Sequence, residues 1–157
     1  MANLKEAGKL ICSIVICQLA GVFGSLFTMP AIPTWYASLT KPSFAPPGSV
    51  IGIIWLILYT LMGISLYLVW TSKKKDKKTA IGVFGFQLIL NALWSFLFFG
   101  LKSPLYGLIC ILLMWIAIAA TIVFFYKIDK KAAYLLVPYL AWVSIATVLN
   151  YLILTLN

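Results

Sequence analysis

Five apolar runs, each of about twenty residues or more, constrain this chain more than any other feature. They lie at about 8–28, 49–70, 79–101, 104–126 and 133–155. A bilayer hydrocarbon core takes roughly 20 apolar residues per helix, so each run is long enough to cross a membrane. The breaks between them have clear chemistry. Met29-Pro30 is expected to end the first run and the Lys73–Lys78 cluster the second. Lys102-Ser103-Pro104 separates the third and fourth, with proline well placed at a helix start, and Lys127–Lys131 separates the fourth and fifth. Of the 157 residues, 64% are hydrophobic and 10% charged, against about a quarter charged in a soluble domain. The predicted fold is therefore an all-α integral membrane protein, one domain over 1–157, with five transmembrane helices and a folded loop at 29–48.

The charges then set the expected orientation. All twelve cations are lysine, and the only acids are Glu6, Asp76 and Asp129. The N-terminus and the second and fourth connections share one side and hold ten lysines, whereas the other side holds only Lys41 and Lys102. By the positive-inside rule the N-terminus is cytoplasmic, and the 29–48 loop and the C-terminus lie outside. The first run is too long for a signal-peptide core and lacks a cleavage site before Pro30, so it reads as a retained helix. The net charge of +9 is no nucleic-acid footprint, because the lysines fall between spans instead of covering one face.

What the runs lack excludes several activities. Apart from Lys9 at the very start of the first, none carries a charged residue, the mark of ion pathways and proton relays. Histidine is absent, and Cys12, Cys17 and Cys110 have no metal-ligand spacing, so neither a metal nor a haem is expected. General acid–base catalysis lacks a placed histidine or carboxylate near the loop.

What the runs contain points to a pocket. Gln87, Asn91, Trp94 and Ser95 fall on one face of the third, and Tyr139, Trp142, Ala146 and Asn150 on one face of the fifth. Gly52, Trp55, Tyr59 and Met62 do the same in the second. Taken singly, Gln87, Asn91 and Asn150 read first as interhelical hydrogen-bond glue, and tryptophan and tyrosine read first as interfacial belts. Trp94 and Trp142, however, lie several residues inside their spans. In the first run Ser13, Cys17, Gly21 and Ser25 recur every four residues with Gly24 beside them, a small-residue face that permits close helix approach. Packing inside the bundle is the preferred reading of that face, with a homodimer left open.

The loop after the first run is unusual. WYASLTKPSFAPP, from Trp35 to Pro47, combines aromatic rings, prolines and the single cation Lys41. Proline restricts both itself and the residue before it. A non-helical folded lid is expected, roofing a flat apolar pocket formed by the three aromatic stripes.

Together the five spans, this loop leading to Trp55, the NALWSFLFF of Asn91–Phe99 and the PYLAWVSIATVLN of Pro138–Asn150 resemble the translocator protein / tryptophan-rich sensory protein (TspO) family over nearly the whole chain. The resemblance implies a five-helix membrane protein that binds porphyrins such as protoporphyrin IX, and synthetic isoquinoline carboxamides. It also implies light-dependent porphyrin breakdown in bacterial members. Family pocket residues map onto Trp55 and Trp142, with Tyr36, Asn91, Trp94 and Ala146 as walls. The stripes add Tyr59, Tyr139 and Asn150 as ligand contacts. Lys41 is a candidate partner for a porphyrin propionate, against the alternative of a topology mark or a snorkelling cation. Trp55 and Trp142 are the candidate reactive groups, with light and molecular oxygen but no cofactor required. The rival expectation is a tetrapyrrole carrier or ligand-responsive sensor without turnover, so an enzymatic role stays open. Tyr151 is followed only by LILTLN, so no basic residue completes the sterol-recognition pattern of animal relatives, and Val123, Tyr126 and Lys130 match only its loose form. Sterol binding is not expected.

Overall fold

The fold is described from a computed structural model covering residues 2–157. Helix α1 runs from Ala2 to Ala31, α2 from Gly48 to Trp70, α3 from Lys77 to Ser95, α4 from Pro104 to Tyr126, α5 from Lys130 to Leu135 and α6 from Val137 to Leu156. No strand occurs among the described residues. Five helical stretches are long and apolar enough to cross a membrane, the last being α5 and α6 together. The protein is an all-α integral membrane protein, as the apolar runs require: lipid offers a backbone no hydrogen-bond partners, so spanning segments satisfy themselves as helices.

The first span departs from expectation. The predicted end at Met29-Pro30 is not observed. Instead α1 continues past Pro30 into a π-helical turn over Ile32–Tyr36, and helical backbone persists to Ser38. Proline lacks an N–H and its ring crowds the preceding turn, and a wider turn accommodates both defects. Ala37 N–H reaches back to Ile32 O, and Thr34 Oγ1 donates to Pro30 O at 2.8 Å. Trp35 and Tyr36 therefore sit on a helix end, and the loop predicted over 29–48 shrinks to Leu39–Pro47. Its fixed point is Asn157, whose side chain accepts from Thr40 N and donates to Thr40 O, both at 2.9 Å.

The fifth span also differs from the single helix predicted at 133–155, because it breaks at Leu136. Pro138 cannot donate into the ladder. Leu136 N donates to Ala133 O, three residues back, and Ser65 Oγ on α2 donates to Ala132 O at 2.7 Å. The remaining boundaries follow the expected chemistry. Ser103 caps α4 by accepting from Tyr106 N, with Pro104 in its first turn, and Asp129 caps α5 through Lys131 N and Ala132 N. The third span ends in a second π-helical turn, Phe96–Gly100, and Lys102 takes a left-handed φ of 52° to turn the chain into α4.

Two apolar clusters hold the bundle. The larger runs through Met62, Phe84, Met114, Phe125 and Val143, and Phe84 stacks on Phe125. The smaller, at the loop end, joins Tyr36, Phe98, Phe99 and Ile153. Helix α1 packs on α2 through small residues. Ser13 and Cys17 are fully buried, and a Cβ on Gly63 would collide with the backbone of Ile14. The small-residue face of the first span thus serves packing within the bundle over this half. Gly63→Val is expected to force the two helices apart and cost at least about 2 kcal/mol, read as a lowered unfolding midpoint in detergent; an unchanged midpoint would contradict this interface.

Candidate functional site

A cavity of about 580 Å³ occupies the loop-end half of the bundle, walled by α1, α2, α3 and α6. Its existence follows from small residues facing large ones. Gly21 lets the Tyr59 ring lie against α1, since a Cβ there would come within 2.6 Å of the ring. Gly52 faces the other way: a Cβ at this lining position meets nothing within 4 Å.

The floor is a hydrogen-bonded chain across three helices. Tyr59 Oη donates to Asn91 Oδ1, Asn91 Nδ2 donates to Tyr139 Oη at 2.8 Å, and Tyr139 Oη donates to Gln87 Oε1 at 2.7 Å. All four side chains are buried. Trp55 stacks on Tyr59, centroids 5.4 Å apart, and meets Tyr139 edge-on at 6.2 Å. On the opposite wall Trp94 stacks on Phe98 at 5.1 Å and donates Nε1–H to Asn150 Oδ1 at 3.1 Å, while Asn150 Nδ2 donates to Pro104 O. Trp142 lines the same space, and its buried indole N–H has no partner among the described residues.

Of the candidate ligand-contact and reactive residues named from the sequence, the structure brings Trp55, Trp142, Tyr36, Tyr59, Asn91, Trp94, Ala146 and Asn150 around this one cavity. Two lie elsewhere. Tyr139 is sealed within the floor, 1% exposed and off the cavity surface, which it meets through Trp55 and Asn91. Lys41 does not line the cavity. Because the first span stays helical to Ser38, its terminal carbonyls come within reach, and Lys41 Nζ donates to Tyr36 O at 2.7 Å and Leu39 O at 3.0 Å, with the Tyr36 ring 4.7 Å away. A cation at a helix C-terminus is favourably placed against the macrodipole.

The lid is likewise different from expectation. The roof comes from Ile32, Tyr36, Gly48 and Ser49, which flank the Leu39–Pro47 loop, together with Phe98 and Phe99. The wall from α1, with Gln18, Gly21, Ser25 and Thr28, was not read as site at all. The four-residue stripe of the first span carried that signal, but its loop-end half lines space while its other half packs. Gln18, whose Nε2 donates to Thr60 Oγ1 at 3.0 Å and to Leu56 O, had no periodic partner to mark it. The exposed large apolar side chains of the lining, Val22, Met29, Ile53 and Leu56, all belong to α1 and α2. The mouth therefore lies on the bundle's flank, between these two helices. No charged side chain lines the cavity; it offers flat aromatic walls and a few amide and hydroxyl groups.

A five-helix bundle in a bilayer, enclosing an uncharged aromatic cavity that opens on its flank, defines an integral membrane protein suited to small apolar ligands. The chain belongs to the TspO/MBR family, whose model matches residues 13–156. It is 44% identical over 149 residues to the tryptophan-rich protein TspO of Archaeoglobus fulgidus, covering 95% of this chain and 97% of that one. It is 43% identical to the TspO of Chlorobaculum tepidum, over 98% of each chain. Human translocator protein is 42% identical over 131 residues, 82% of this chain and 78% of its own.

The buried chain of hydroxyls and amides is testable by itself. Tyr139→Phe strands Asn91 and Gln87 without their shared partner and is expected to cost about 1–3 kcal/mol. Gln87→Leu added to it should recover part of that loss in detergent unfolding, since the second change removes one stranded group.

Proposed function

We propose that the cavity binds a flat, largely apolar tetrapyrrole such as protoporphyrin IX, and that Trp55 and Trp142 promote its light- and oxygen-dependent breakdown. The observation that carries this reading is the convergence of Trp55, Trp94 and Trp142 on one uncharged space of about 580 Å³. A conjugated macrocycle gains most from offset contact with aromatic faces, and the lack of a buried charge spares its apolar body a desolvation conflict. An indole of Trp55 or Trp142 gives one electron to the photo-excited macrocycle, which passes it to molecular oxygen to form superoxide. The indole radical cation then retakes an electron from the macrocycle, and the resulting macrocycle radical cation combines with superoxide. Oxygen is thus the net oxidant, and the indole is regenerated. The partnerless N–H of Trp142 is a donor for an acceptor atom on the ligand. With Lys41 held on helix carbonyls, propionates meet hydroxyl and amide donors of the cavity instead of that lysine. Isoquinoline carboxamides, flat and carrying one amide carbonyl, suit the same walls.

The second reading, binding without turnover in a carrier or sensor, is favoured by the flank opening between α1 and α2, which lets a ligand exchange with the surrounding lipid. In either case the lysine-rich end is proposed to face the cytoplasm.

Purified protein with protoporphyrin IX, illuminated in air, is expected to bleach the porphyrin absorbance. Trp55→Phe and Trp142→Phe should slow the decay at least about tenfold while retaining saturable binding, because a phenyl ring keeps stacking but loses the indole's redox chemistry. Equal decay in both variants would remove these tryptophans from any reactive role, and porphyrin flux into proteoliposomes in the dark would support the carrier. The cavity itself is tested by Gly52→Phe, expected to weaken porphyrin binding about tenfold or more with little change in unfolding midpoint, since the new ring enters free space.

A further inference from the structure

The end of the bundle opposite the loop carries its own small pocket, unrelated to the aromatic cavity. About 200 Å³ in volume, it lies where the α2–α3 connection meets the turn between α4 and α5. Phe124 and Ile128 form an apolar base, and Lys74, Lys127, Thr79 and Asp76 complete the lining. Lys74 Nζ donates to Lys127 O at 2.6 Å, so the two connections are braced together and the Lys74 amine is held at the pocket. Lys127 Nζ stands 5.9 Å from the Phe124 ring. This corner lies among ten lysines and three acids gathered at one end of the spans. Contacts between elements confirm that these segments share an end: Tyr67 Oη of α2 donates to Glu6 of α1, and Ser65 of α2 to Ala132 of α5.

We infer that this pocket binds the phosphate of an anionic phospholipid, with Lys74, Lys127 and the Thr79 hydroxyl on the phosphate and the glycerol end against Phe124 and Ile128. The charge complementarity is direct, because lysines at the ends of membrane spans attract acidic headgroups of the adjoining leaflet. The amphipathic lining favours a lipid over a free ion. A phosphodiester entering from the bilayer brings apolar carbons to the aromatic base and its charge to the amines, as the site is layered. The Asp76 carboxylate caps no amide of α3 and shares the lining. It opposes an anion and limits affinity.

The test uses the full chain in nanodiscs of phosphatidylcholine doped with phosphatidylglycerol, counting retained phosphatidylglycerol by native mass spectrometry. Lys127→Gln leaves the Lys74 brace intact, because the brace uses a backbone carbonyl. It is expected to weaken retention at least about tenfold, the loss of a charge-assisted hydrogen bond to the phosphate. Asp76→Asn should strengthen it, whereas Lys73→Gln and Lys75→Gln, which make the same charge change outside the pocket, should leave it within about twofold. Equal losses in Lys127→Gln and the two controls would overturn the site in favour of diffuse attraction. Displacement of phosphatidylglycerol by millimolar inorganic phosphate would overturn the lipid as occupant. Weakened retention in Asp76→Asn would refute the assignment of the pocket.

Discussion

The Tyr139 hydroxyl is the point on which the arrangement of the helices depends. It accepts from Asn91 and donates to Gln87, and Asn91 in turn accepts from Tyr59. Helices α2, α3 and α6 are thereby joined at one depth in the membrane. Lipid tails are as apolar as leucine, so burying leucine between helices gains little there. Polar side chains that find each other supply register that apolar packing alone leaves loose, with individual bonds averaging about 0.6 kcal/mol. Their larger effect is exclusion of alternatives, because any sliding of α3 strands two amides in a medium with no water to satisfy them.

From that floor the cavity follows. Tyr59, fixed through its hydroxyl, presents its ring to Gly21 on one side and Trp55 on the other. Trp55 is thus held by stacking on a side chain that is itself hydrogen-bonded. The opposite wall repeats the device: Asn150 orients Trp94 through its indole N–H and anchors to the carbonyl of Pro104. The aromatic surfaces are preorganised, which lowers the ordering cost that a ligand must meet on binding. The buried N–H of Trp142 has no partner among the described residues, in contrast to that of Trp94.

The two ends of the bundle differ in how their chain reversals are held. At the loop end, an amide pairs with backbone: Asn157 holds Thr40, while Lys41 closes the helix that bears Tyr36. At the other end, lysine amines take up carbonyls left over at helix ends, Lys74 on Lys127 O and Lys77 on Trp70 O and Ser72 O. Lysine therefore acts structurally at both ends while also supplying the charge asymmetry of the chain.

The number of spans, the proline start of α4 and the inward faces of α2, α3 and α6 were legible because each depends on local pattern. Length against bilayer thickness, a missing N–H and a 3.6-residue period need no knowledge of neighbours. The end of the first span was misread for the same reason. Pro30 and Pro33 break an isolated helix, yet here a π-helical turn and the Thr34 hydroxyl carry the chain through. Lys41 and Tyr139 show the limit most clearly. Tyr139 was a candidate contact from its stripe, and Lys41 was open between a ligand contact and a topology mark. But a lysine reaches whatever carbonyls the fold leaves open, and a tyrosine on a polar stripe lies in the floor or the wall according to depth. By itself the sequence determined a five-span helical membrane protein with aromatic stripes facing inward. Only the tertiary structure decided which of those residues bound an empty space and which are consumed in holding it open, because that depends on partners brought together from distant parts of the chain.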